Sequence, residues 1–117
     1  MTKTRPTKGK TFSDKVLEAA LAVPEGRVTT YGLIARAAGG GGQSARSVSG
    51  ILGRAVNSDP TLDIPLHRIV YSSGSVWMHD KYHKTRMKLY QQEGIEVNHK
   101  GRIQNFRKIL YTFLYGD

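Results

Sequence analysis

The 117-residue sequence contains no cysteine. Disulfides, thiolate-ligated metals and thiol nucleophiles are excluded together, although the absence by itself fits more than one compartment. Acidic residues are scarce: 9 Asp and Glu stand against 18 Lys and Arg, giving a formal charge of +9. Such an excess points to a polyanionic partner, because cations laid along a phosphate backbone release condensed counterions, although a merely solubilising surface would be basic too. Long apolar runs are also missing. The longest, around Leu17 to Val23, is broken by Glu18 and falls far short of a membrane span. Met1 to Lys10 is basic and leads into no apolar core, so 1–10 reads as a disordered basic arm and not as a secretory leader. The composition suggests a soluble protein with no membrane partner, and a length suited to one domain.

What is present is mainly helical periodicity. Ser13 is placed to cap a helix over 14–23, with Val16, Leu17, Ala20 and Leu21 on one face, and Pro24-Glu25-Gly26 ends it. Thr29 or Thr30 can cap a second helix over 31–38 with Leu33, Ile34, Ala37 and Ala38 as its stripe. The glycines 39–42 force a break, and they lack the Lys-Ser/Thr of a phosphate-binding loop. Ser44 can cap a third helix from Ala45 to about Val56, with Val48, Ile51, Leu52 and Val56 inward and Arg46, Ser47, Ser49, Gly50 and Arg54 outward. Two helices about a glycine turn, the second carrying small polar residues and arginine outward, form a helix-turn-helix pattern.

Beyond Asn57-Ser-Asp-Pro60, the segment 69–71 reads as a short strand, Ser72-Ser-Gly74 as a turn, and 75–77 as the hairpin partner. Asp80 can cap a helix over 81–93 with Tyr82, Met87, Leu89 and Tyr90 as its buried face. Gly94 terminates it, and 95–97 alternates like a strand. The fold class expected is α+β, mainly helical: a single domain with a helix-turn-helix and a short β-hairpin. The cations Lys81, His83, Lys84, Arg86, Lys88, Lys100, Arg102, Arg107 and Lys108 either contact phosphates or form a solvated face. The four histidines have no metal-ligand spacing, so neither a metal nor a cofactor is implied.

Gly26-Arg-Val-Thr-Thr-Tyr31-Gly, Ser44-Ala-Arg46-Ser-Val, Ile64-Pro-Leu66-His67-Arg68-Ile-Val, Ser72-Ser-Gly74 and Glu93-Gly94 follow in one order. Together they resemble the C-terminal domain of the O6-alkylguanine-DNA alkyltransferases over residues 11–97, leaving 98–117 as a C-terminal basic and aromatic extension. Active members read Pro-Cys-His-Arg, and the cysteine takes the alkyl group from the base. Here that position is Leu66, an alkane side chain with no lone pair to attack carbon. The sequence is therefore similar to the alkyltransferase-like proteins, relatives that bind alkylated DNA without repairing it, although tryptophan or alanine is more usual there at this place.

The resemblance implies a role for each matching residue. Arg46 matches an arginine finger that enters the duplex from the minor groove, where a long cation can stack and bond to the orphaned cytosine. Tyr31 matches the tyrosine that crowds the 3′ phosphate of the target nucleotide. Ser47 and Gly50, with Ser49 and Gly53, fit a helix that approaches the groove closely, or one that packs tightly on a neighbour. His67 and Glu93 match the pair that activates the cysteine, here a vestigial hydrogen bond. Asn57 and Arg68 are structural, Asn57 bonding backbone groups at the active-site turn and Arg68 pairing with a carboxylate. Leu66, Val76, Trp77, Met78 and His79 would wall the lesion pocket. The function implied is non-catalytic recognition of O6-alkylguanine in double-stranded DNA, by a monomer, flagging the base for nucleotide excision repair proteins. The setting implied is the cytoplasm, associated with the nucleoid, or a nucleus. Two alternatives stay open: a helix-turn-helix regulator that reads sequence, and an alkyltransferase disabled by a Cys→Leu change.

Overall fold

A computed structural model describes residues 10–41 and 44–113. The proposed basic arm falls almost entirely outside them. The element order is α1 (Phe12–Ala22), β1 (Thr29–Thr30), α2 (Tyr31–Ala37), α3 (Ala45–Ser58), a 3-10 turn (Leu66–Arg68), β2 (Ile69–Val70), α4 (His83–Gln92) and α5 (Phe106–Ile109). The chain is thus a single α+β domain, mainly helical.

The helix starts differ from the sequence expectation in instructive ways. Thr11, not Ser13, caps α1: its hydroxyl accepts from the Asp14 amide (3.1 Å), and the Asp14 carboxylate accepts from the Thr11 amide (3.0 Å). That reciprocal box satisfies two amides at once, which a Ser13 cap would not. Thr30 caps α2 by accepting from the Leu33 amide (3.1 Å). Ser44 precedes α3 but is already helical in backbone, and its side chain makes no capping bond. Helix α4 begins at His83 and not at 81, because Asp80 is engaged by Arg86 instead of capping.

Two apolar clusters form the interior. The first joins α1, α2 and α3 through Val16, Ala20, Ile34, Ala35, Val48 and Leu52, with Ile64 and Ile69. Leu21 and Ala37, expected on the inner faces, lie exposed. The second cluster gathers Val28, Val70, Val76, Tyr90, Ile95 and Ile103. Successive strand residues point to opposite faces, so Ile69 joins the first cluster while Val70 joins the second, and β2 is the seam between them.

The expected hairpin is not there. β2 pairs in parallel with β1, Thr29 opposite Ile69 and Thr30 opposite Val70. Ser75 instead bridges Arg102, and only the Tyr71 amide reaches the Ser75 carbonyl, at 3.1 Å. The 95–97 strand reduces to one bridge, Val97 to Ile103. Tyr82, assigned to the buried face of the last helix, is 59% exposed; Tyr90 is the residue buried there.

The segment 98–113 packs with the domain. Leu110 bridges Val28 in parallel, and Arg27 donates to the Ile109 and Leu110 carbonyls at 3.1 and 2.6 Å. Gly101, at φ +81°, lies under Met78, and a Cβ there would sit 2.6 Å from the Met78 Cγ and 3.1 Å from the Val76 carbonyl oxygen. Gly101→Ala should therefore cost about 1–3 kcal/mol through left-handed strain plus displacement of Met78, read as a lower urea midpoint.

Candidate nucleic-acid interface

Helix α3 buries Val48, Ile51 and Leu52 and turns Arg46, Ser47, Ser49, Gly53 and Arg54 outward. Arg46, Ser49, Gly50 and Gly53 recur at helical spacing, so they form one stripe. Arg46 makes no ion pair among the described residues. Gly50 is half-buried because Arg54 lies over it: a Cβ on Gly50 would be 3.3 Å from an Arg54 guanidinium nitrogen. The stripe of Gly and Ser leaves a shallow cationic face that can come close to a groove.

The C-terminal half of that stripe runs into a cleft of about 220 Å³. Ser49 and Gly53 line it from α3, Leu66 from the 3-10 turn, Tyr31 from α2, Val76 and Trp77 from the loop after β2, and Arg86 and Tyr90 from α4. The cleft opens at the seam between the two apolar clusters. Three large apolar side chains lie half in water around it: Leu66 (46% exposed), Tyr71 (45%) and Trp77 (55%). An exposed apolar rim of this kind on a concave site marks a surface that is covered on binding. The Tyr31 and Tyr71 rings sit 6.0 Å apart, and burial of Tyr31 raises its phenol pKa above the ordinary value.

Beneath the cleft floor, Glu93 is the hub of a buried polar network. Its carboxylate accepts from the Arg68 Nε (3.0 and 3.1 Å) and terminal nitrogen (2.7 Å), and from the Gly26 amide (3.0 Å). The His67 Nε2 lies 2.6 Å from it. Arg68 also donates to the Val23 carbonyl (3.0 Å), and the Tyr90 hydroxyl to the His67 carbonyl (2.5 Å). Burial alone would raise the Glu93 carboxyl, but Arg68, Gly26 and His67 outweigh it and hold the pKa at about 2. The Tyr90 phenol is pushed well above its usual range, chiefly by burial. The turn that bears Leu66 is thus pinned at both following residues while Leu66 itself is free to project.

The structure brings Leu66, Val76 and Trp77 together in the cleft, and joins Arg68 to Glu93 and His67 to Glu93. Met78 and His79 do not line it. Met78 fills the space above Gly101 and packs on the second cluster, and His79 is exposed outside the cleft. Asn57 is exposed at the end of α3, with no hydrogen bond to the turn among the described residues, so it does not serve as the expected link. Arg86, grouped with possible phosphate contacts, is instead bound to Asp80 and faces the cleft. Tyr71, Tyr90 and Arg86 are cleft residues that sequence reasoning missed. Only Tyr90, a large aromatic on the inner face of a helix next to Glu93, carried a usable signal.

A sequence profile described as "6-O-methylguanine DNA methyltransferase, DNA binding domain" matches residues 11–95. The chain belongs to this family. A DNA base-flipping protein of Escherichia coli is 32% identical over 96 residues, covering 82% of this chain and 71% of that protein. A methylated-DNA–protein-cysteine methyltransferase of Methanothermobacter thermautotrophicus is 34% identical over 86 residues, covering 74% of this chain and 46% of that enzyme. Among solved structures, S. pombe Atl1 in complex with damaged DNA containing O6-carboxymethylguanine superposes with a TM-score of 0.67 at 26% identity, covering 92% of this chain and 98% of that one. The methyltransferase-family fold therefore spans both halves of the molecule, and 98–113 shares in its packing.

Proposed function

We propose that this protein binds O6-alkylguanine in duplex DNA, rotates the base into the cleft and holds it without chemistry. The observation that carries the reading is Leu66. It projects half-exposed into the cleft beside an intact His67–Glu93 pair, at the position where the resemblance puts the alkyl-acceptor cysteine. The activating pair has no thiol to act on, because the chain contains no cysteine. The stripe from Arg46 to Gly53 supplies the duplex-facing surface, and the apolar rim supplies the extrahelical base with contact. Extrusion costs a few kcal/mol, less for a weakened O6-alkylguanine pair, and cleft contacts together with Arg46 offset it. Similarity to a base-flipping protein and to Atl1 bound to damaged DNA supports this reading. On it, the bound lesion is a flag for excision by other proteins, with nucleotide excision repair the route that the resemblance implies.

The test is titration of matched duplexes bearing guanine or O6-methylguanine at one position, at fixed salt. A preference of at least about tenfold for the lesion is expected, the yield of one or two good pocket contacts. Equal affinities would overturn the proposal and favour a regulator that reads sequence. Leu66→Cys separates the remaining alternative, because rapid self-alkylation of that variant would mark a disabled enzyme and not a dedicated binder.

A further inference from the structure

The loop 76–80 carries the outer wall of the cleft with little backbone support. The Val76 amide donates to the Gly101 carbonyl (2.8 Å), and the Asp80 carbonyl accepts from the His83 amide (3.2 Å). Between them, Trp77, Met78 and His79 form no backbone–backbone hydrogen bond among the described residues. Met78 is anchored by packing, but Trp77 is 55% exposed. An indole left in water forfeits the burial that ordinarily fixes such a side chain.

What ties this loop down is Arg86, from the middle of α4. One terminal nitrogen donates to the Trp77 carbonyl (2.7 Å) and to one Asp80 oxygen (3.1 Å), and the other donates to the second Asp80 oxygen (2.7 Å). A planar guanidinium can grip both ends of the segment at once, whereas an ammonium offers no such fork. The Arg86 side chain is 19% exposed and lines the cleft beside Tyr31 and Tyr90, so it has little freedom to swing away. The mutual pull is visible in both partners: the Asp80 carboxyl is lowered chiefly by its bond to Arg86, and the guanidinium is raised chiefly by Asp80.

We infer that Arg86 is a specificity-determining positioning residue, whose grip on the Trp77 carbonyl and Asp80 holds the exposed Trp77 indole ready as a platform for an extrahelical base or its O6 substituent. This rests on the base-flipping reading. A platform ordered before binding loses less conformational entropy when the base arrives, so lesion preference depends on the clamp even though Arg86 need not touch a phosphate.

Trp77 is the single tryptophan in the chain, so its emission reports on the platform alone. Arg86→Lys keeps the charge and removes the fork, and Asp80→Asn removes the ion pair with little change of shape. The second variant carries the test should the first fail to fold. The full chain is compared by acrylamide quenching and anisotropy of Trp77 without DNA, and by the affinity ratio for O6-methylguanine over guanine duplexes. The variants should show a more quenchable, less ordered indole and a lesion preference reduced about tenfold, the scale of a charged hydrogen bond. An indole as ordered as in the wild type would overturn the clamp, and a loosened indole with full lesion preference would overturn the platform. Absence of lesion preference in the wild type itself would instead overturn the base-flipping reading, whatever the variants do to Trp77.

Discussion

Glu93→Gln is expected to destabilise the protein by about 3–5 kcal/mol at neutral pH, the usual consequence of breaking a buried ion pair from one side. The carboxylate side chain is 6% exposed and accepts from Arg68, Gly26 and His67. Glutamine fits the space, but its amide nitrogen must face at least one of these donors, and the Arg68 cation loses its counter-charge. Urea melts at pH 7 measure the loss. The acid dependence follows from the lowered carboxyl. Its pKa is about 2 in the folded protein against an ordinary 4.5. The unfolded chain therefore takes up this proton first as pH falls. The contribution of Glu93 is complete above about pH 5 and drains away as pH drops through 4.5 toward 2, amounting to roughly 3 kcal/mol in all. Wild type and Glu93→Gln should accordingly converge in stability over that window. Parallel curves down to pH 2 would mean that the carboxylate is not the charge that holds the network.

Arg46→Ala is expected to reduce the preference for O6-methylguanine over guanine duplexes by about 10- to 100-fold, while weakening binding to undamaged DNA far less. A guanidinium that replaces the departed base makes its stacking and hydrogen bonds only when the base has left, so it stabilises the flipped complex selectively. Arg46 is exposed in the first turn of α3, on the stripe that ends at the cleft, and holds no ion pair among the described residues that would compete. The competing role, a phosphate contact, has a different signature. It would lower both affinities alike and reduce the slope of log K against log salt by about one. Measuring both duplexes at three salt concentrations distinguishes the two.

The sequence made the three N-terminal helices legible because their apolar residues recur at helical spacing and the glycine run can only be a break. Boundaries were less so. Thr11, Ser13 and Ser44 all carry hydroxyls, and only the three-residue spacing of Thr11 to Asp14 picks out the real box at α1. The β1–β2 pairing was not legible: two-residue strands show no alternation, and nothing local relates Thr29 to Ile69, forty residues away. The nearby Ser72-Ser-Gly74 turn suggests a hairpin, but Val70 is held in the second cluster and its ladder partner is Thr30. At the site, the Leu66-His67-Arg68 and Glu93 group was readable from the order of motifs. The grip of Arg86 on Asp80 was not, since a separation of six residues across a helix start belongs to no regular periodicity. Met78 looked like pocket wall because its destination, the hollow left by Gly101, lies more than twenty residues further along the chain.

Leu66 bears on how this chain and its catalytic relatives can interconvert. On the proposed function, the residue that decides whether alkyl transfer is chemically possible sits half in solvent, on a turn whose shape is fixed by Tyr90 and Glu93 acting on its two successors. Exchanging its side chain disturbs no core and no hydrogen bond, so the fold should register the change by no more than about 0.5 kcal/mol, as at most surface sites. Chemistry and folding are therefore under separate control here. On that reading, a lineage can lose or regain the nucleophile by one substitution without crossing a stability barrier.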